Sequence, residues 1–275
     1  MNSKKGIINI IYRRVIVGVY TYNSDINVIG GIPDYQLIFK AIELYTSGKD
    51  AMNDALIKRN EFGFKTESAR GRFMRAITSA FLNFQNREHE ALITSLFMHS
   101  MSLETKQLIL FWQFSLSNRL FFEISRDVFV KNYFSGRVSF PKEDIVAYMK
   151  DLIANTPELK DKFAEKTIST IASKYLTVLK KLDLVEGRQK KTFKHIQVSN
   201  DALVIFLHLL KAIDPSGSDM LKNKYLSLSM VPLDSFAERV KQLAKKDLIN
   251  MSFNGVALKI ETIHTGKGIG SVLFD

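Results

Sequence analysis

Residues 166–198 place short hydroxyls and long cations at helical spacing and follow them with a cationic turn. Such side chains suit hydrogen bonds to phosphate and sugar oxygens. From Lys166 onward, Ile168, Ile171, Ala172, Tyr175, Val178, Leu179 and Leu182 recur in steps of three and four, which defines one buried stripe on a helix. The opposite face carries Ser169, Thr170, Ser173, Lys174, Thr177, Lys180 and Lys181. Leu184-Val185-Glu186-Gly187 ends the helix, and Arg188-Gln189-Lys190-Lys191 leads into the alternating strand Lys194-His195-Ile196-Gln197-Val198. Eight Lys or Arg face two acids over this stretch, an excess that favours a polyanionic partner. The candidate contacts to double-stranded DNA are Lys166, Thr167, Ser169, Thr170, Ser173, Lys174, Thr177, Lys181, Arg188, Lys190, Lys191 and Lys194. An ordinary solvated basic face is the alternative.

The preceding residues supply the elements that would position this surface. Pro141-Lys142-Glu143-Asp144 puts a proline and two carboxylates in a first turn, followed by the apolar stripe Ile145, Tyr148, Met149 and Leu152. Thr156-Pro157-Glu158 predicts a second, shorter helix with Thr156 as its N-cap. Helix, short helix, long helix and hairpin form the order of a winged helix-turn-helix. A second basic cluster lies at Lys58, Arg59, Lys65, Arg70, Arg72 and Arg75, opposed by Glu61 and Glu67. Arg70, Arg72 and Arg75 form its candidate patch, suited to more phosphate or to an acidic partner.

The rest of the chain reads as mostly helical. Short helices are expected over Pro33–Tyr45 and Asp50–Lys58, and Thr66-Glu67 caps a helix with Phe73, Ile77 and Phe81 inward. Glu88–His99, Leu103–Phe114 and Leu120–Phe134 are apolar on most sides, as the core helices of a bundle are. Beyond Val198, Ser199 caps a further helix, and Asp214-Pro215-Ser216-Gly217 reads as a linker. Asp234-Ser235 caps another helix, with Phe236, Val240, Leu243 and Ala244 inward, and Asn254-Gly255 predicts a type I′ hairpin turn. Lys-Lys-Leu-Asp-Leu-Val at 180–185 recurs as Lys-Lys-Asp-Leu-Ile at 245–249, so helix followed by hairpin occurs twice. The resulting division is an extension at 1–22, a helical bundle at 23–138, a winged-helix-like unit at 139–214 and a helix-plus-hairpin unit at 215–275.

Composition agrees with a polyanion partner. The chain has 39 Lys and Arg against 28 Asp and Glu, a net charge of +11, with a pI near 9.6. A hydrophobic content of 46% with 20 Phe excludes a disordered chain. Absence of Cys excludes disulfides and thiolate metal sites and fits a reducing cytoplasm. Residues 7–22 are apolar, but Arg13-Arg14 in the middle would cost several kcal/mol in a bilayer, so no membrane span is expected. The alternation there suits an edge strand instead, with the tail hairpin 248–263 as its partner by composition.

Catalytic signatures are weak. The five histidines are scattered, and His89-Glu90 lacks the second histidine of a zinc-protease helix. Glu158-Leu159-Lys160 has the carboxylate-x-lysine pattern of restriction-type nucleases, but it follows a proline at a helix start rather than lying on a strand. Gly266-Lys267-Gly268-Ile269-Gly270 has only five residues after it, too few for a phosphate-holding helix, and reads as a loose tail.

Several segments occur in a familiar order: Leu110-Phe111-Trp112, Phe121-Phe122-Glu123, Val128–Phe134, Glu143-Asp144, Pro157-Glu158-Leu159 and Lys166–Val185. Together they resemble the BrxA family, accessory proteins of the bacterial BREX phage-defence operons, over roughly Asn23 to Ile213. The resemblance implies a helical protein with an N-terminal bundle and a winged-helix-like part, binding double-stranded DNA beside a methyltransferase and ATPases. Residues 1–22 and 215–275 lie outside it. The expectation is a mainly α, non-catalytic, cytoplasmic DNA-binding accessory protein that uses no metal or cofactor and has defence-system proteins as further partners. A subunit whose basic faces bind acidic proteins or RNA is the competing reading.

Overall fold

Short polar side chains set where the helices of this chain begin. Thr66, Asn86, Ser102, Asn118 and Ser199 each accept a hydrogen bond from the backbone N–H three residues ahead. The structure, a computed structural model, describes residues 22–275. The expected extension and its edge strand therefore lie outside the described residues, apart from Tyr22. The first helices are α1 (Asp25–Ile29), α2 (Gln36–Tyr45), α3 (Lys49–Asn53), α4 (Glu67–Ala80), α5 (Arg87–Leu96) and α6 (Leu103–Ser117). Then come α7 (Arg119–Ile124) and α8 (Lys131–Phe134), joined by a π-helical stretch, Ser125–Val130. After them lie α9 (Lys142–Asn155), α10 (Glu165–Lys181), hairpin β1 (Val185–Glu186) and β2 (Thr192–Phe193), and α11 (Asn200–Ile213). The chain ends with α12 (Leu233–Ala244), hairpin β3 (Ile249–Phe253) and β4 (Leu258–Thr262), and α13 (Ile269–Phe274).

The molecule is mainly helical, and α6 is its central helix, buried on nearly every side from Leu108 to Leu116. Its Trp112 lies against Phe206 of α11, and its indole N–H donates to the Leu228 carbonyl at 2.9 Å. Aromatic rings then run without a break toward the hairpin. Phe114 meets Phe121 at 4.3 Å, Phe121 meets Tyr175 of α10 at 5.2 Å, and Phe140 meets Phe193 of β2 at 5.2 Å. One apolar core extends from Tyr22 to Ile269, so the segments 23–138, 139–214 and 215–275 share it.

Four local expectations change. The short helix after Thr156 is only a single 3-10 turn, Pro157–Leu159. The strand expected over 194–198 does not form: pairing covers Thr192–Phe193, the Lys194 N–H still donates to the Leu184 carbonyl, and beyond it the Ile196 N–H turns to the Tyr133 hydroxyl and the Val198 carbonyl accepts from Arg239. Asn254-Gly255 does not form a two-residue turn. Phe253 pairs with Leu258, and Asn254 Oδ1 accepts from the N–H groups of Val256 and Ala257 inside the longer loop. The glycine-rich end is docked rather than loose: Ile269 and Gly270 are buried, the Lys267 carbonyl accepts from Ser95, and Asp275 pairs with His99.

The repeated Lys-Lys/Asp-Leu motif has a backbone cause. Asp183 and Asp247 both adopt left-handed φ, at 60° and 55°. In each case the following leucine N–H reaches five residues back, Leu184 to Leu179 and Leu248 to Leu243. This is a Schellman-type helix stop, in which a short polar side chain tolerates the left-handed position. Both hairpins leave their helices through it.

Candidate nucleic-acid interface

Helix α10 turns its apolar stripe inward: Ile171, Ala172, Tyr175 and Leu179 are fully buried. Tyr175 additionally shares a buried hydrogen bond with Ser125 at 2.9 Å, which fixes the rotation of the helix against the π-helical stretch. The outer ridge is Lys166, Thr170, Ser173, Thr177 and Lys180, spaced by three and four residues, with Thr177 half-buried and the others exposed. Lys180 closes this ridge, yet it is missing from the sequence-derived contact set. Its spacing from Thr177 was the available signal.

Most of the hydroxyls do not stand ready for phosphate. Thr170, Ser173 and Thr177 donate to the carbonyls of Lys166, Ser169 and Ser173 at 2.8–2.9 Å, each four residues back. Ser169 accepts from Lys142 of α9 at 2.7 Å. Thr167 is half-buried beside the ridge. Three of the hydroxyls are thus committed as donors, which leaves the cations together with the Ser169 and Thr167 hydroxyl protons.

Those cations fall into two groups. Lys181 lies over the Tyr35 ring and donates to the carbonyls of Gly30 and Ile32, so it holds the chain after α1 in place. Burial, then the neighbouring Lys174 charge, depresses its pKa against the opposing effect of Asp34. Lys194 pairs with Asp183 at 2.5 Å. Lys191 folds back onto its own loop, donating to the carbonyls of Gly187 and Arg188 at 2.9 and 2.6 Å. Burial and the charge of Lys180 lower its pKa. By contrast, Lys166, Lys174, Lys180, Arg188 and Lys190 form no side-chain ion pair or hydrogen bond among the described residues. Lys180 lies near enough to the loop for its charge to act on Lys191.

The loop is held by backbone geometry. Gly187 has φ 91°, and a Cβ there would lie 2.0 Å from the Lys190 carbonyl oxygen, so only glycine closes this turn. The chain before α9 adds a third short segment beside β2. Ser139 bridges Thr192, the Phe140 N–H donates to the Lys191 carbonyl, and the Phe193 N–H donates to the Val138 carbonyl.

The second patch is less uniform than its sequence suggested. Arg72 and Arg75 are exposed on α4, whereas Arg70 is half-buried with an unpartnered Nε. Lys58 and Arg59 are neutralised by Asp54 and Glu61. Helix α1 packs on both α10 and α4 and stands between the two basic surfaces. Its contact with α10 is very close, since a Cβ on Gly30 would fall 2.8 Å from the Lys174 carbonyl oxygen. Of the nuclease-like triplet, Glu158 pairs with Arg119 at 3.0 Å and Leu159 is buried.

A sequence profile of the BrxA family matches residues 36–205. This chain belongs to the BrxA family. The match runs from the start of α2 into α11, so it includes α10 and the cationic hairpin and stops short of α12, β3–β4 and α13. Searches of curated proteins and of solved structures give no match. BrxA membership associates the protein with the BREX anti-phage systems. No described helix is long and apolar enough to cross a membrane.

Proposed function

We propose that this BrxA protein is a cytoplasmic, non-catalytic accessory factor of its defence system that binds double-stranded DNA, using residues 139–214 as a winged-helix-like unit. In this reading α10 is the helix presented to the duplex and the loop 187–191 is the wing. The observation that carries it is the set of cations on adjoining elements that have no side-chain partner among the described residues: Lys166, Lys174 and Lys180 on α10, and Arg188 and Lys190 on the loop. Some cations elsewhere, such as Lys58, Arg59, Arg119 and Lys131, are taken up by acids, and what sets the α10 group apart is that its members follow one another along a helix and the loop joined to it. A polyanion would supply the missing partners. Helices 23–138 then serve as the bundle that supports this unit, and proteins of the same system are further partners. The exposed Arg72 and Arg75, set apart by α1, offer a separate contact for an acidic protein or RNA.

An electrophoretic shift with purified protein and a random 30-base-pair duplex tests the reading. Wild type should shift the duplex. Lys180→Glu, Arg188→Glu and Lys190→Glu combined should abolish the shift while leaving Tm within about 2 °C, because these side chains hold nothing in place. Retained binding by the triple variant would move the interface elsewhere.

A further inference from the structure

The ridge of α10 is bracketed by two cations with no side-chain partner among the described residues, Lys166 and Lys180, and two exposed or half-exposed threonines lie between them. Thr170 and Thr177 both turn their hydroxyls into the helix, donating to the carbonyls of Lys166 and Ser173 at 2.8 and 2.9 Å. A threonine held this way offers its surroundings a Cγ2 methyl rather than a donor. Seven residues separate the two, about 10.5 Å along a helix, a span that matches three base steps of about 3.4 Å when the helix runs along the base stack. In the major groove the apolar feature that distinguishes one base pair from another is the thymine 5-methyl group, and threonine methyls are among its usual contacts.

We infer that Thr170 and Thr177 give this protein a preference for thymine methyls about three base steps apart in the major groove, superimposed on the phosphate contacts made by the flanking lysines. The inference rests on the DNA-binding reading and adds a base-dependent component that lysine–phosphate contacts alone do not supply. Hydroxyl donation to phosphate or to base edges is not required. The preference should be modest: burial of one methyl is worth about a three- to fourfold change in affinity, so two give roughly tenfold.

The test uses one 20-base-pair A·T-rich duplex and a second in which every thymine is deoxyuracil, so that the probes differ only in the 5-methyl groups. Fluorescence anisotropy with the full-length protein should give roughly tenfold tighter binding to the thymine duplex. Thr170→Ser with Thr177→Ser removes both methyls, keeps the hydroxyls, and should bind the two probes equally. Thr170→Val with Thr177→Val keeps the methyls without the hydroxyls and should retain the preference. Melting curves of both variants should overlay the wild type. Equal wild-type affinity for the two probes overturns the inference and leaves DNA binding intact. A preference that persists in the serine variant overturns its assignment to these residues. Failure to bind either probe overturns the DNA-binding reading, and the inference falls with it.

Discussion

In the proposed duplex-binding reading, salt dependence is the sharpest test of how many cations would meet DNA, because each neutralised phosphate steepens the loss of affinity with salt. Among the described residues, five side chains on α10 and its loop have no side-chain partner: Lys166, Lys174, Lys180, Arg188 and Lys190. Lys181 and Lys191 are committed to backbone carbonyls, and Lys194 to Asp183. Five contacts give a slope of log affinity against log salt of about −4.5, or a loss of about 500-fold between 50 and 200 mM. Changing Lys180, Arg188 and Lys190 to Gln leaves two, a slope of about −1.8 and a loss of only about 12-fold over the same range. Lys181→Gln should instead leave the slope unchanged and lower stability, since Lys181 anchors the carbonyls after α1. Fluorescence anisotropy with a labelled 20-base-pair duplex at five salt concentrations measures all three slopes. A triple variant with the wild-type slope, or a wild-type slope shallower than about −2, would refute the count and the placement of the interface.

Two glycines and two histidines give further predictions. Gly30 has ordinary helical φ, −64°, so Gly30→Ala acts only through the clash with the Lys174 backbone. It should cost about 1–3 kcal/mol and lower Tm by roughly 2–9 °C in calorimetry. Gly71 lies within α4 with only the end of Arg75 near its missing Cβ, so Gly71→Ala should raise stability by up to about 1 kcal/mol. Burial pushes the imidazole pKa values of His89 and His208 down to about 4, below the ordinary 6.5. The unfolded chain then takes up protons near pH 6.5 that the folded protein refuses, so stability is fully present above pH 6.5 and falls as pH drops toward 4. Urea midpoints between pH 7.5 and 4.5 should show this fall. His208→Leu should halve that contribution while costing little at neutral pH, because His208 Nε2 is buried without a partner.

Periodicity made the inward face of α10 legible, since the steps from Ile168 to Leu182 leave one way to bury it. Capping chemistry made Thr66 and Ser199 legible in the same manner. What periodicity does not encode is where an exposed-looking cation goes. Lys181 lies one residue beyond Lys180, yet one reaches carbonyls contributed by residues about 150 positions away and the other stays open. The docking of α13 was invisible for a related reason. Gly266 and Gly270 contribute by having no side chain, which lets Leu92, Ser95 and His99 of the α5 region approach them. Glycine spacing alone says only that helix is disfavoured.

The repeated motif shows how local chemistry can imitate duplication. Asp183 and Asp247 end their helices by the same left-handed stop, and a hairpin follows each. The surroundings then diverge. The first hairpin has two-residue strands, a loop carrying Arg188 and Lys190, and an aromatic link into the core through Phe193. The second has five-residue strands and an exposed tip bearing Phe253 and Val256 in place of cations. A shared stop therefore accounts for the sequence likeness without implying a shared role. The family profile also ends at residue 205, before the second unit begins. The first hairpin and its helix carry the cations of the proposed interface, and the aromatic path from Phe114 through Tyr175 to Phe193 holds that pair against the central helix. A core fixed in this way spares the backbone under the charged loop an ordering cost on association, whereas the exposed lysine and arginine side chains still lose rotamer freedom when a partner holds them.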